Sequence, residues 1–481
     1  MSQPRCFRPI PFLLTIFFLN LVPAHADAPS GAIHLEAEDA QLFGPTLSTQ
    51  RAGYTGTGYV TNFLNKTDKI VLTTPNAKAG VYDALIHYNA PAIKGFDLVV
   101  DGSTYTGLFQ PSGDGFVMQD AGNVILKDGI NTVEIHYGWG HYDVDSIDLV
   151  PATIPPLKIP PATLSNPNAT PAAKALESYL VSQYGKVTLS GQHTLGDTAY
   201  VESQTGKLPA IIGGDLIDYS PSRVLHENGP NTEAEDIIAA GKAGQIVTML
   251  WHWNAPTDLI DKKETDAQGN EVDHSWYLGF YTASTTFDLE NAIDNPGSPD
   301  YQLLLSDIDT IAIQLQKFQV AGIPVLWRPL HEAEGGWFWW GAKGPEPFKK
   351  LWRLMYDRLT NYHHLNNLIW VYSSGIDPNW YPGDQYVDIV GADEYPTDVQ
   401  DPENGIWNTL QSEYGGRKLI ALSEYGGAPD VPRMFTVGSK WSYFMSWTGD
   451  VGPHKNDPLA LSAIYNSPLV VTSDKLPPYI R

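Results

Sequence analysis

Residues 151–171 read PATIPPLKIPPATLSNPNATP, a stretch with seven prolines. Proline fixes φ near −65° and lacks a backbone donor, so regular structure does not run through such a segment. It reads as a stiff, extended spacer over 151–170, and it separates two stretches of different periodicity. Before it, over 27–150, the chain falls into short runs: GAIHLEAE, KIVLTT, VYDALIHYNA, FDLVVDG, NVILKDG, NTVEIHYGW and VDSIDLV. Apolar residues recur at every second position, and Gly, Asn and Asp punctuate them. That pattern predicts an all-β sandwich.

After the spacer the period changes. Thr170-Pro171 has the form of an N-cap followed by proline at the first helical position. Leu304, Ile308, Ile311, Leu315 and Phe318 mark one helix face, and Phe348, Leu351 and Met355 mark another. Between such segments lie eight short apolar runs: KVTLSGQH, LPAIIGGD, QIVTMLWHW, IPVLWRPLHE, NLIWVYSS, VDIVGADEY, KLIALSEYG and WSYFMSW. Strands alternating with helices over 171–481 predict an α/β fold, a (β/α)8 TIM barrel. A doubly wound sheet is the competitor, but no Gly-rich phosphate loop opens any of these units.

The first 30 residues, MSQPRCFRPIPFLLTIFFLNLVPAHADAPS, place Arg5 and Arg8 before an apolar run from Ile10 to Val22. Ala24-His25-Ala26 is a small-x-small cleavage pattern, so 1–26 is expected to be a secretory signal peptide and the mature protein extracellular. The single cysteine, Cys6, falls inside it. The mature chain is then without disulfides and depends on core burial. Asn65-Lys66-Thr67 and Asn168-Ala169-Thr170 are glycosylation sequons. With 54 Asp+Glu against 30 Lys+Arg the net charge is −24, which repels nucleic acid and anionic membranes as partners. A monomer is expected. Fourteen Trp and 25 Tyr suit contact with a neutral, hydroxyl-rich ligand.

Several barrel runs end in polar or aromatic residues. The third ends in Trp251-His252-Trp253-Asn254, the fourth in Arg328-Pro329-Leu330-His331-Glu332, the sixth in Asp393-Glu394-Tyr395 and the seventh in Ser423-Glu424-Tyr425-Gly426. In a barrel these ends share the face that carries the active site. Glu332 and Glu424 could then face each other across a sugar, as the two carboxyls of a glycosidase do, with pKa values set apart so that one gives a proton and the other attacks. Each glutamate could instead cap a loop or pair with Arg328. A metal pair of His252 and His331 is the other alternative, but no H-E-x-x-H spacing is present. The tryptophans of WRPLHEAEGGWFWWG, residues 327–341, are expected to line a cleft.

RPLHEAEGGWFWWG, DEYP and LSEYGG together resemble glycoside hydrolase family 26, most of whose members are secreted endo-β-1,4-mannanases. The resemblance spans about 171–481. It implies a retaining enzyme on mannan, glucomannan or galactomannan that needs no cofactor for catalysis. Glu332 would be acid/base and Glu424 nucleophile, with His252, His331, Trp337, Tyr395 and Trp447 touching substrate. A β-glucanase or β-1,3-xylanase on the same fold, and a polysaccharide-binding protein without catalysis, remain alternatives. The N-terminal part resembles carbohydrate-binding module family 35 through LEAEDA, GYTGTGYV and GWGHYDVDSIDL. That implies a structural calcium at Glu36, Glu38 and Asp145 or Asp148, carboxylates being the ligands a hard cation takes. Tyr59 and Trp139 are the candidates for sugar stacking on the module; either could equally be a packed sandwich residue.

Overall fold

Each of the eight apolar runs forms a strand, and together they close on themselves. In the computed structural model, which describes residues 31–226, 231–265 and 269–480, the barrel strands are β1 (Thr188–His193), β2 (Ile211–Asp215), β3 (Ile246–Trp251), β4 (Val325–Pro329), β5 (Leu368–Tyr372), β6 (Ile389–Glu394), β7 (Leu419–Tyr425) and β8 (Tyr443–Ser446). All neighbours pair in parallel, and β1 pairs with both β2 and β8, which closes the sheet. The signal peptide read over 1–26, with Cys6, lies outside the described residues. Among them, no helix is long and apolar enough to cross a membrane.

The helices follow from the sequence period. Over Pro171–Gln183, the Thr170 hydroxyl caps the first turn by accepting from the Ala173 N–H at 3.2 Å. On Pro299–Val320, the buried stripe includes Leu304, Ile308, Ile311, Leu315 and Phe318; on Pro345–Tyr356, it includes Phe348, Leu351 and Met355. These stripes pack outside strands that are buried on both faces, the arrangement a parallel barrel requires.

Residues 33–151 form two antiparallel sheets packed face to face. Gly80–Asn89 shows the alternation directly: Tyr82, Ala84, Ile86 and Tyr88 point into the core. Tyr88 and Phe96 each stack on Phe109 with ring centroids 4.1 Å apart.

The proline-rich segment is extended but not free. A Cβ on Gly185 would lie 2.5 Å from Leu157, and the Ser165 N–H donates to Asp388 at 2.5 Å, so the spacer is laid along the barrel. The sandwich is fastened there as well. The Thr106 N–H donates to Asp401 at 2.6 Å, Asn123 donates to the Val437 carbonyl at 3.0 Å, and the Arg433 guanidinium sits 4.3 Å over the Tyr105 ring. Val437, from the barrel side, is buried in the sandwich core.

Candidate active site

The end of β4 turns sharply. Leu330 and Glu332 both adopt left-handed backbone, with φ of +52° and +53°. Such a conformation costs an L residue roughly 1–2 kcal/mol, so neighbouring bonds must hold it. They are present: the Glu332 N–H donates to the Ser373 carbonyl at 2.9 Å, and Trp340 Nε1 donates to the His331 carbonyl at 2.9 Å. The turn aims the Glu332 carboxyl into the barrel mouth. There its Oε2 accepts from Trp337 Nε1 at 2.8 Å. Trp337 can lie across the backbone because residue 335 is glycine; a Cβ there would meet the indole at 2.0 Å. Burial pushes the Glu332 pKa up to about 8, helped by the Glu424 and Asp393 charges, while the Trp337 N–H and Arg328 oppose the rise.

The end of β7 is built differently. Between Ala392 and Asp393 the β6–β7 register shifts, so that Asp393 sits opposite Glu424. Arg328, buried on β4, spans both carboxylates: it donates to Asp393 at 2.6 Å and to Glu424 more closely still. Asp393 also accepts from the Ser373 and Ser423 hydroxyls, each at 2.7 Å. Burial raises the Asp393 pKa to about 6 against the pull of Arg328. On the other oxygen of Glu424, the Tyr395 hydroxyl donates at 2.5 Å. Burial and the Glu424 charge raise the tyrosine pKa, so this hydroxyl keeps its proton. One oxygen each of Glu332, Asp393 and Glu424 lies within 4.8 Å of the others. The cation that Asp393 and Glu424 share is the Arg328 guanidinium.

Beside the carboxylates lies an aromatic wall. His252 Nε2 and His331 Nε2 are 3.2 Å apart, which makes them hydrogen-bond partners. Burial pushes the His331 pKa well below its ordinary value, reinforced by the Arg328 charge. Trp447 packs against His193 and His252, with ring centroids 4.9 Å and 6.0 Å away. The Trp327–Trp340 cluster, however, corrects an expectation. Trp327, Trp339 and Trp340 do not line the cleft; they are buried. The indole N–H of Trp339 finds the Trp253 carbonyl at 2.6 Å, and that of Trp340 finds the His331 carbonyl. A buried indole whose N–H is satisfied packs as core, as these two do; Trp327 is buried too, but its Nε1 has no partner. Of the four, only Trp337 opens to solvent, at 49 % exposure.

A family model described as glycosyl hydrolase family 26 matches residues 165–475. The chain belongs to glycosyl hydrolase family 26. A second model, carbohydrate binding module (family 35), matches residues 33–152. A mannan endo-1,4-beta-mannosidase of Thermothelomyces thermophilus is 44% identical over 94% of this chain and 92% of its own length. Mannan endo-1,4-beta-mannosidase A of a Piromyces species is 34% identical over 96% of this chain and 75% of its own. Among solved structures, the Podospora anserina GH26-CBM35 beta-(1,4)-mannanase is similar with a TM-score of 0.67 and 43% identity, covering 94% of this chain and all of that one.

Within the family 26 domain, sequence reasoning missed the connecting residues. Asp393 was visible only as a strand end, and Arg328 only as a possible ion-pair partner; Ser373, Ser423 and Asp215 carried no signal beyond position. Applying the strand-end rule to β1 and β2 would have drawn in His193 and Asp215. In the module, Trp139 is 49 % exposed and lies over Gly95, where a Cβ would meet its Nε1 at 2.2 Å. Tyr59 is only 4 % exposed, packed against Phe116 and Tyr54, so its ring face is not open to a sugar. Glu36 and Asp145 share the Thr55 hydroxyl, at 2.9 and 2.8 Å. Glu38 crowds the same loop: a Cβ on Gly56 would meet its Oε1 at 2.1 Å and Glu36 Oε1 at 3.0 Å. Asp148 meets them through a histidine: it pairs with His34 Nδ1 at 2.6 Å, and His34 Nε2 lies 3.1 Å from Glu36 Oε1.

Proposed function

We propose that this family 26 enzyme is a retaining endo-β-1,4-mannanase, with Glu332 as acid/base and Glu424 as nucleophile. The observation that carries the retaining mechanism is the close approach of the two carboxyls, with oxygens within 4.8 Å. An inverting pair stands roughly 6.5–9.5 Å apart to admit a water between sugar and base. The choice of mannan rests on the named activity of the relatives. Glu332, held protonated by burial, gives its proton to the glycosidic oxygen as the bond breaks. Glu424, braced by Arg328 and Tyr395, attacks the anomeric carbon from the opposite face and forms the glycosyl-enzyme. Glu332 then takes a proton from the water that releases it. Trp337, Tyr395, His252 and Trp447 bind the sugar chain around this point; His331, expected from the resemblance to touch substrate, is buried and meets His252 instead.

The remaining assignments are part of the same reading. The protein is a secreted monomer with its signal cut after Ala26, and Asn65 and Asn168, both exposed, are open to glycosylation. The module binds mannan through Trp139. The structural calcium at Glu36, Glu38 and Asp145 rests on Glu38 Oε2, which is buried with no hydrogen-bond partner beside the loop that Glu36 also touches; among the described residues the acidic groups already gathered tightly enough to hold an ion are Glu332, Asp393 and Glu424. Calcium in the module would pin the 54–58 loop to the strand Ile33–Glu36, and chelation should lower the unfolding temperature of the module.

The test is mass spectrometry after trapping with a 2-deoxy-2-fluoro-β-mannosyl inhibitor. Label on the LSEYGG peptide is expected. Label on PLHEAEGG would reverse the two roles, and release of reducing sugar from barley glucan or xylan in preference to mannan would overturn the substrate.

A further inference from the structure

The two carboxyls leave unexplained a polar chain that crosses the barrel mouth from β2 to β4. Asp215 ends β2. Its Oδ1 accepts two backbone N–H groups, from Ile217 at 2.9 Å and His252 at 3.1 Å. Its Oδ2 lies 2.6 Å from His252 Nδ1. His252 Nε2 in turn meets His331 Nε2 at 3.2 Å. His331 is buried, and its Nδ1 has no partner.

Proton placement follows from these contacts. A carboxylate only accepts, so His252 carries its proton on Nδ1, and in the neutral ring Nε2 is left as an acceptor. His331 must then donate from Nε2. Its partnerless Nδ1 is left as a bare lone pair, cheaper to bury than an orphaned N–H. A cation on His331 is disfavoured by burial and then by the nearby Arg328 guanidinium. His331 is the residue between Leu330 and Glu332, the two left-handed positions.

We propose that Asp215 is a positioning residue for the proton donor. By fixing the tautomer of His252 it makes His252 Nε2 the acceptor for His331 Nε2–H, and so anchors the turn that aims Glu332. The inference rests on the assignment of Glu332 as donor.

Asp215→Asn tests it with little change of shape. The two backbone N–H groups on Oδ1 force the amide oxygen to that side, so the amide N–H₂ faces His252 Nδ1. His252 must then carry its proton on Nε2, pointing at the His331 N–H. If the turn shifts by about an ångström, kcat/KM on mannan should fall about 10- to 100-fold, and that on 2,4-dinitrophenyl β-mannobioside by less than about threefold. The leaving group of the second substrate needs no proton. Equal losses on both would overturn the positioning role. Glu332→Ala, assayed beside it, should show the same split more strongly; a split in Glu332→Ala but not in Asp215→Asn rejects this inference alone, whereas no split in Glu332→Ala rejects the donor assignment beneath it. Should Asp215→Asn fail to fold, ¹⁵N NMR of the histidines of the wild-type enzyme still decides. His252 is expected to show protonated Nδ1 and bare Nε2, and His331 the reverse. A protonated His252 Nε2 would overturn the proposal.

Discussion

At the end of β4, Glu332 stands on left-handed backbone with one side-chain donor, the Trp337 indole; at the end of β7, Glu424 stands on strand backbone with two, Arg328 and Tyr395. Both are glutamates in the same barrel mouth. The contrast lies in what surrounds them. Glu332 is desolvated with little to stabilise a charge, and burial holds its proton to about pH 8. Glu424 is met by a guanidinium and a hydroxyl, both aimed at its oxygens. The proposed roles of acid and nucleophile then rest on one side-chain type with donors distributed unequally around it.

The sharpest break of this comparison is to remove each carboxyl in turn. Glu424→Ala should lower kcat by about 10⁴-fold or more on every substrate, because no leaving group, however good, compensates for a missing nucleophile. Glu332→Ala should cost about 10²–10⁴-fold on mannan and much less on a dinitrophenyl mannoside. Azide should restore part of the second variant's activity with the activated substrate and yield a β-linked product. An inverted wild-type product would end the retaining model.

Much of this was readable in the chain. The eight strands declared themselves because each is a short run buried on both faces and bounded by polar residues, and strand ends such as Glu332 and Glu424 followed from the barrel rule. The helical stripes on 299–320 and 345–356 were equally plain. What escaped were properties of three-dimensional neighbours. That Trp339 and Trp340 are core depends on carbonyls at Trp253 and His331, which composition does not reveal. The seam that fastens the sandwich to the barrel joins residues about 300 positions apart, as the backbone N–H of Thr106, on a sandwich strand, does with the Asp401 carboxylate. No periodicity marks such contacts. Arg328 was in view as a residue, but its bridging of Asp393 and Glu424 needs the β6–β7 register shift.

A smaller effect tests the unequal desolvation. Glu332 has a folded pKa near 8 against an ordinary value of 4.5. The folded state therefore holds a proton that the unfolded chain releases, and stability falls as pH rises from about 4.5 to 8. Glu332→Gln removes the ionisable group. Its unfolding temperature should match wild type near pH 4 and exceed it progressively towards pH 8, by about 1–2 °C for each kcal/mol relieved in a domain of this size. Differential scanning calorimetry at several pH values reads this directly. A constant difference across the range would mean that Glu332 titrates normally in the fold.

The finest adjustment is the single donor on Glu332. Trp337 Nε1 lies 2.8 Å from its Oε2, and this bond pulls the glutamate pKa down against burial. Trp337→Phe keeps a ring on the cleft wall and deletes the N–H. The ionised form of Glu332 then loses a stabilising contact, so its pKa should rise further. Because the acid is active when protonated, the basic limb of the kcat/KM profile should move to higher pH, while the acidic limb stays in place. Loss of sugar stacking area would instead raise KM evenly at all pH values. A uniform KM increase with an unmoved basic limb would show that Trp337 serves the substrate alone, and that the proton on Glu332 is set by burial and the Glu424 and Asp393 charges without it.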